Sequence, residues 1–366
     1  MRAAVLREFK SALSVEDVDL ADPGPGEVLV RLHASGVCHS DWNTVTGDTP
    51  NPLPCVLGHE GAGVVEAVGS GVTRLTAGDH VILSWLPACG HCFYCAQGRQ
   101  TLCPNGIDGM LDGALPGGAI RLSQGGRPVH HYSLLSTFAE RTVVPDGSCV
   151  KIRPDAPFEV ASLVGCAVMT GIGAAIFRAQ VTPGSVCVVF GAGGVGLSVV
   201  LGCVLAGARA VVAVDPVPFK RELALELGAT QALDPNGGDA PAVARELTDG
   251  RGADYAFNSA STPALVRTGF ETIRKGGTLV CVGLGPEGSD TSLPANELVR
   301  HEKIVTGTLY GSCRPQIDMP MLIDLFIEGR LPLDRLVSKT YELDAINEAF
   351  ADMNAGVVAR GVIALA

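Results

Sequence analysis

The sequence predicts an α/β protein in which a doubly wound parallel sheet is inserted into a β-rich domain. Short β-branched segments bounded by Gly and Pro occupy residues 1 to about 165, and strands alternate with helices from Val186 to about residue 309. Residues 361–365 form one more strand-like segment that is able to rejoin the first domain. We therefore expect one domain at 1–167 and 310–366 and a second at 168–309.

The β-rich domain is predicted from its strand-like segments, which lie at residues 28–32, 63–69 and 79–83. Glycine and proline punctuate them, as in the turn Pro23-Gly24-Pro25-Gly26. Beyond residue 309 the pattern predicts helices over 319–328 and 346–353, with strands at 338–340 and 361–365.

The inserted domain is predicted from buried strands at 186–190, 210–214, 253–257 and 278–282. Helical spacing separates them over 194–206, 219–227 and 262–273. This order implies parallel crossovers and hence a parallel sheet.

Length and charge limit the kinds of function to consider. A chain of 366 residues is longer than a single hydrophobic core usually accommodates, which favours two domains. The net charge of −11 argues against a general nucleic-acid or anionic-membrane binder. The N terminus lacks a signal-peptide pattern, and glycines and Arg209 interrupt the apolar stretch at 186–214. We expect a cytoplasmic protein that binds neither membrane nor nucleic acid.

Four of the twelve cysteines are closely spaced, at Cys89, Cys92, Cys95 and Cys103. Four thiolates close a tetrahedral zinc site and leave no open position, so the expected role is structural. Disulfide pairing is the alternative, which a reducing compartment disfavours. A nucleic-acid zinc ribbon is a further alternative, but no basic patch surrounds the loop. We interpret His91 as a solvated loop residue.

A second candidate metal site begins with Cys38 and His59, a thiolate and an imidazole of the kind that zinc prefers. Ser40 places a hydroxyl two residues after the thiol, in reach of whatever binds the metal. The best candidate for a third ligand is Cys166, and three protein ligands leave one position open for substrate, as in catalytic zinc sites. Alternatively, Cys38 and His59 are ordinary core residues.

A glycine-rich turn follows the buried strand at 186–190 and opens a helix. Its sequence is Gly191-Ala192-Gly193-Gly194-Val195-Gly196, which suits the approach of a dinucleotide pyrophosphate to a helix N terminus. Asp215 ends the next strand, where a carboxylate binds ribose hydroxyls and repels a 2′-phosphate, favouring NAD over NADP. A plain turn and a helix-capping Asp are the alternatives.

Taken together, these motifs resemble the zinc-dependent medium-chain alcohol dehydrogenases over essentially the whole chain. The matching pieces are residues 36–41, 58–65, 165–166 and 170–171, the four-cysteine loop and the glycine-rich turn. Residues 121–152 resemble the longer, typically dimeric branch that includes class III-type enzymes. The resemblance implies a GroES-like catalytic domain, a Rossmann coenzyme domain and a homodimer.

The resemblance assigns roles around the catalytic metal. Cys38, His59 and Cys166 match the zinc ligands. Glu60 matches a carboxylate that approaches the metal, and Asp41 matches one that orients the ligand histidine. One catalytic and one structural Zn²⁺ are therefore implied for each chain.

The resemblance also assigns roles toward alcohol and coenzyme. Ser40 matches the hydroxyl that takes the alcohol proton. The other implied contacts are His39 and Arg360 with the pyrophosphate, Asp215 and Lys220 with the adenosine ribose, Thr170 and Val195 with the nicotinamide, and Trp85, Leu284 and Leu309 with the substrate. For Trp85, core packing is the alternative.

The sequence departs from the family at three places. One is Trp85, which stands at a pocket position usually filled by Phe or Tyr and suggests a flat, apolar pocket. Asn43 stands where animal alcohol dehydrogenases have a histidine as the last proton acceptor. Thr49, Asn51 and Ile107 stand where the formaldehyde dehydrogenases carry charged groups that hold glutathione. These positions supply no charge here, which argues against oxidation of a glutathione adduct.

We therefore expect an NAD-dependent zinc alcohol dehydrogenase that interconverts primary, apolar or aromatic alcohols and aldehydes. Two alternatives are a formaldehyde dehydrogenase that uses another thiol and a catalytically silent protein that binds NAD and zinc.

Overall fold

The structure is a computed structural model that describes residues 1–260, 262–285 and 288–365. Ala366, the last residue of the predicted β-rich domain, and residues 261, 286 and 287 of the inserted one lie outside this range. The chain divides into two compact units. Unit 1 contains Met1–Cys166 and the chain from Arg314 onward, and unit 2 contains Ala167–Cys313.

The strands, in chain order, are β1 (Arg2–Leu6), β2 (Ser14–Asp17), β3 (Asp19–Leu20), β4 (Glu27–Gly36), β5 (Cys55–Val56), β6 (Gly61–Val68), β7 (His80–Leu83), β8 (Leu122–Gln124), β9 (Arg127–Val129), β10 (Arg141–Pro145), β11 (Cys149–Lys151), β12 (Val186–Phe190), β13 (Ala210–Val214), β14 (Gln231–Leu233), β15 (Ala253–Asn258), β16 (Ile273–Cys281), β17 (Ile304–Gly307), β18 (Val337–Glu342) and β19 (Arg360–Ala364).

The α-helices are α1 (His39–Thr46), α2 (Phe93–Ala96), α3 (Phe158–Leu163), α4 (Met169–Gly173), α5 (Gly194–Leu205), α6 (Pro218–Glu226), α7 (Ala240–Glu246), α8 (Pro263–Thr272), α9 (Ala295–Arg300), α10 (Pro315–Ile327) and α11 (Ile346–Ala355). Short 3₁₀ turns lie at Gln100–Leu102, Pro104–Ile107, Pro116–Gly118, Asp146–Ser148, Tyr310–Ser312, Leu333–Leu336 and Leu343–Ala345.

Unit 1 is built on a mainly antiparallel sheet of order β11-β7-β6-β4-β19-β18, with β10 also paired to β4. Strand β4 is long because Glu27–Gly36 alternates buried and exposed side chains along most of its length. The C-terminal β19 pairs antiparallel with β4, so that Val362 lies opposite Gly36. The C-terminal strand therefore lies in the sheet of unit 1.

Unit 2 is a parallel sheet of order β14-β13-β12-β15-β16-β17. Strands β12 and β13 are buried on both faces, because Val186–Phe190 and Ala210–Val214 are continuous apolar runs. The chain order reverses between β12 and β15, which is where doubly wound sheets bind ligands. The predicted α/β class with a parallel sheet is confirmed.

A continuous helix from Phe158 to Ala179 contains α3, α4 and π-helical turns at Val164–Val168 and Ala174–Ala179. By length and composition alone it is able to cross a membrane, but 78% of its most apolar stretch is buried inside the protein. This burial is typical of a core helix.

Candidate active site

The first turn of α1 brings Cys38 and Ser40 to the site. Cys38 is the N-cap residue, with extended backbone angles φ −130° and ψ 153°. Its N–H donates to Asp41 Oδ2 at 3.3 Å, which fixes the start of the helix. Gly36 precedes this turn, and a Cβ there would overlap the side chain of Glu60. The local sequence therefore sets where the thiol and hydroxyl lie.

Four potential metal ligands converge in unit 1, namely Cys38, His59, Glu60 and Cys166. One ligand atom from each lies within 4.8 Å of those from the others. Cys38, His59 and Glu60 are buried, and Cys166 is half-buried. Two sulfurs, an imidazole and a carboxylate in this arrangement fit zinc. The structure thus brings together the residues that the sequence predicts for the catalytic metal.

Asp41 contacts the imidazole ring of His59. His59 Nδ1 lies 2.9 Å from Asp41 Oδ1, and the Gly58 N–H donates to the same oxygen at 3.1 Å. Burial opposes protonation of His59, but the charge and hydrogen bond of Asp41 raise its pKa well above the usual value. With Nδ1–H donating to Asp41, Nε2 is the nitrogen available to a metal.

The two thiols of the cluster, Cys38 and Cys166, shift each other's pKa in opposite directions. Their hydrogen bond lowers the pKa of Cys38 well below its usual value and raises that of Cys166. Burial contributes further to the rise at Cys166. A metal binds thiolates, so zinc would displace the remaining proton.

Glu60 and Arg360 form a buried ion pair beside the cluster. Glu60 Oε2 accepts from the guanidinium, whereas Oε1 has no hydrogen-bond partner among the described residues and lies 4.0 Å from His59 Nε2. Burial raises the pKa of Glu60 to about 7, and the Arg360 charge opposes that rise. An unpartnered carboxylate oxygen next to the ligand histidine fits a cation at this place.

Ser40 places its hydroxyl beside the cluster, with Oγ 3.8 Å from Cys38 Sγ. Tyr132, whose role the sequence did not reveal, donates from its phenol to the Ser40 carbonyl oxygen at 3.0 Å. This contact joins residues that are 92 positions apart, so no local pattern announces it.

The four cysteines at 89, 92, 95 and 103 also form a cluster, with one sulfur from each within 4.8 Å of the others. Asn105 Nδ2 donates to Cys89 Sγ at 3.5 Å, a contact that the sequence did not suggest. The main-chain N–H of His91 lowers the pKa of Cys89 to about 6. The His91 ring lies outside the cluster and contacts the Cys89 carbonyl oxygen at 2.8 Å. Four sulfurs without a fifth ligand fit a structural zinc.

The glycine-rich turn of unit 2 lies between β12 and α5. Gly191 has φ +88°, and a Cβ on Gly196 would overlap the Gly191 carbonyl group, so both positions need glycine. A Cβ on Gly193 would meet open space. This space lies at the N terminus of α5 and suits a phosphate group.

Asp215 holds the neighbouring loops. Its Oδ2 accepts from the Ala192 N–H at 2.7 Å, and its Oδ1 accepts from the Val217 N–H at 2.8 Å. Ser259, which the sequence did not single out, donates to the Gly191 carbonyl oxygen at 2.9 Å. The carboxylate therefore lies at the end of β13, next to the turn.

The remaining predicted residues are distributed over both units. In unit 1, His39 is exposed and Trp85 packs against the core cluster that includes Leu83. In unit 2, Thr170, Gly194 and Val195 lie near the helix starts, Lys220 and Leu309 are half-buried, and Leu284 is 78% exposed. Within unit 1 the substrate-facing role of Trp85 stays a prediction.

Known proteins are similar in sequence to this chain over nearly its whole length. The family models described as "Alcohol dehydrogenase GroES-like domain" and "Zinc-binding dehydrogenase" match residues 24–154 and 194–328. "Putative alcohol dehydrogenase D" of Mycobacterium tuberculosis is 44% identical over 364 residues, which is 99% of this chain and 98% of the relative. The "NDMA-dependent alcohol dehydrogenase" of Amycolatopsis methanolica is 44% identical over 365 residues, with the same coverage of 99% and 98%.

A solved structure shows the same fold. Benzyl alcohol dehydrogenase from Acinetobacter calcoaceticus is 35% identical, with a TM-score of 0.94, over 100% of this chain and 99% of that chain.

Proposed function

The chain belongs to the zinc-dependent medium-chain alcohol dehydrogenases, and from this premise we propose that it oxidises primary alcohols with an apolar or aromatic group to aldehydes, using NAD. It also performs the reverse reduction. The observation that carries this proposal is the convergence of Cys38, His59, Glu60 and Cys166 beside the Ser40 hydroxyl. The relatives are named as alcohol dehydrogenases. Neither a thiol-dependent formaldehyde dehydrogenase nor a catalytically silent protein is favoured by them.

Cys38, His59 and Cys166 would hold the catalytic zinc, and Glu60 lies where it approaches the metal. Zinc supplies Lewis acidity, which lowers the pKa of an alcohol hydroxyl toward neutrality. Asp41 keeps His59 in the tautomer that presents Nε2. Four of these side chains, all but that of Cys166, are buried, which excludes water and strengthens their electrostatic interactions.

Ser40 is the first group to receive the alcohol proton, at its Oγ. A serine hydroxyl both accepts and donates, so it passes a proton on without holding charge. Asn43, three residues further along α1, does not titrate and cannot be the last acceptor. The onward transfer would go to solvent.

NAD supplies the hydride acceptor, and residues 168–309 are proposed as its domain, with 1–167 and 310–366 as the catalytic domain. The glycine-rich turn would hold the pyrophosphate, as argued from the space at Gly193. Asp215 would bind the adenosine ribose and repel a 2′-phosphate, which favours NAD over NADP. The further proposed coenzyme contacts are His39, Thr170, Val195, Lys220 and Arg360.

Two zinc ions for each chain are proposed, one at the catalytic cluster and one at the four cysteines. Apolar substrates are favoured by Trp85, and Leu284 and Leu309 are the further proposed pocket residues. The activity named for the Acinetobacter calcoaceticus structure makes benzyl alcohol the first substrate to test.

We also propose a cytoplasmic homodimer. Clusters of cysteines suited to binding a metal are typical of proteins in a reducing compartment. Strand β17 is the outer strand of the unit 2 sheet, and Ile304 on it is 53% exposed. An open strand edge with an exposed apolar side chain suits pairing with a second copy. Light scattering after size-exclusion chromatography measures this directly.

The function is tested with a panel of alcohols from ethanol to benzylic and terpenoid alcohols. NAD and NADP are compared as acceptors, with and without NDMA, because the name of the Amycolatopsis methanolica relative records that dependence. We expect the highest kcat/KM for benzylic alcohols with NAD. A preference for ethanol contradicts the apolar pocket, and a preference for NADP contradicts the role of Asp215.

A further inference from the structure

Tyr132 contacts two parts of the metal site that lie far apart in the sequence. Its phenol Oη donates to the main-chain carbonyl oxygen of Ser40 at 3.0 Å. Its ring meets the imidazole of His59 edge to face, with the ring centroids 5.9 Å apart. Tyr132 is only 7% exposed, so water has little access to replace either contact.

A tight turn holds Tyr132 in this position. Its main-chain N–H donates to Ser136 Oγ at 3.1 Å, and its carbonyl oxygen accepts from the N–H groups of Leu135 and Ser136. Ser133, Leu134 and Ser136 have positive φ angles of 50°, 63° and 54°. Residues other than glycine adopt this backbone at a cost and keep it only where the surrounding structure determines it. The turn is therefore specified by the fold and presents Tyr132 in one way.

The other end of the hydrogen bond lies in the first turn of α1. The Ser40 carbonyl oxygen also lies 3.5 Å from Thr44 Oγ1. A bond to this carbonyl fixes the peptide plane that follows Ser40, and with it the turn that carries the Ser40 hydroxyl. That hydroxyl lies 3.8 Å from the ligand atom Cys38 Sγ.

We propose that Tyr132 is a positioning residue whose phenol hydroxyl, through the Ser40 carbonyl, holds the Ser40 hydroxyl where it receives the alcohol proton. This inference rests on the role of Ser40 in the proposed function. Turnover depends steeply on the alignment of reacting groups, so small displacements of Ser40 lower kcat more than they weaken alcohol binding.

The substitution Tyr132→Phe isolates the hydroxyl, because phenylalanine keeps the ring beside His59. We expect kcat to fall about tenfold, as for the loss of one hydrogen bond, with KM changed less than about twofold. The matched control is Tyr255→Phe, since the Tyr255 phenol also donates to a main-chain carbonyl oxygen, that of Gln180 at 3.3 Å, outside the metal site. This control keeps the wild-type kcat. Zinc content and the thermal unfolding midpoint are measured for each variant.

A double-mutant cycle with Ser40→Ala separates this inference from the function on which it rests. If Tyr132 acts through Ser40, Tyr132→Phe has no further effect on the residual turnover of Ser40→Ala. Wild-type kcat in Tyr132→Phe overturns the inference, and so does an equal fall in both backgrounds. Full turnover in Ser40→Ala instead shows that the assigned role of Ser40 is wrong, and the inference falls with it.

Discussion

His59 serves the proposed metal site with both of its ring nitrogens. Nδ1 is held by Asp41 at 2.9 Å, which leaves Nε2 for zinc. Asp41 itself is fully buried and accepts from the N–H groups of Cys38 and Gly58. One carboxylate therefore contacts the start of α1, the Gly58 main chain and the His59 ring. We therefore predict that the affinity for zinc depends on Asp41, which is not itself a proposed ligand.

Asp41→Asn should lower the affinity of the catalytic site for zinc by about 10- to 100-fold, as for other partners of ligand histidines. The amide removes the negative charge and turns one acceptor atom into a donor facing main-chain N–H groups. The measurement is zinc retention in competition with a chelator. Asp48→Asn is the matched control, because Asp48 is exposed just beyond α1 and should keep wild-type affinity. Equal zinc retention by both variants contradicts the role of Asp41.

The buried imidazole of His131 should make the free energy of unfolding depend on pH. Burial lowers its pKa from 6.5 to about 4, and it accepts from the Arg121 N–H at 3.1 Å. His131 is therefore protonated below pH 6.5 in the unfolded chain, whereas in the folded chain it is protonated only below about pH 4. The contribution of His131 to the free energy of unfolding is fully present above pH 6.5. It is lost as the pH falls from 6.5 to about 4, by up to about 3 kcal/mol.

Denaturant unfolding between these pH values measures the effect. His131→Gln should flatten the pH dependence of the free energy of unfolding, whatever it does to stability at neutral pH. An unchanged slope in His131→Gln shows that this histidine is not the titrating group.

At the scale of elements, prediction succeeded where an apolar run was long enough to be recognised as a strand. Strand β12 was predicted over its full range of Val186–Phe190, and β13 over Ala210–Val214. Strands β3 and β5 have two residues each, too few to show alternation, and were not predicted. The π-helical turns inside Phe158–Ala179 also left no signal, because they share the composition of the surrounding helix.

At the site, residues were predicted where their chemistry makes the pattern distinctive. Metal chemistry restricts its ligands to a few residue types, so the four clustered cysteines and Cys38 with His59 stood out. Tyr132, Asn105 and Ser259 were missed because each acts through a hydrogen bond made by folding, not by spacing.

The glycine-rich turn between β12 and α5 is predicted to bind the coenzyme pyrophosphate, and a substitution at Gly193 tests this. Gly193→Ala adds a methyl group in open space, so stability should stay within about 1 kcal/mol of wild type. The same methyl group would occupy space assigned to the pyrophosphate, so the Kd for NADH should rise at least tenfold. Gly237→Ala is the matched control, since a Cβ there also meets open space. Fluorescence titration with NADH measures both variants, and unchanged binding by Gly193→Ala places the coenzyme elsewhere.

At the scale of the whole molecule, the two kinds of chemistry lie in different units. The metal-ligand clusters belong to unit 1, and the glycine-rich turn belongs to unit 2. Unit 1 is discontinuous in sequence, and the buried pair of Glu60 and Arg360 joins positions that are 300 residues apart. The side chain that pairs with Glu60 therefore comes from the C-terminal segment of unit 1. Because the metal-binding clusters and the glycine-rich turn lie in different units, loss of the catalytic metal and loss of NADH binding should be separable.

The most direct test of the central claim is the turnover of Cys38→Ser with NAD and benzyl alcohol. Removal of one zinc ligand should lower kcat by at least about 1000-fold, because the lost Lewis acidity is worth several kcal/mol. The Kd for NADH should stay within about twofold of wild type, since the glycine-rich turn is untouched. Cys281→Ser, which changes a half-buried thiol outside both clusters, is the control and should keep full turnover. Full turnover in Cys38→Ser, or in a preparation without metal, would contradict the assignment of catalysis to this site.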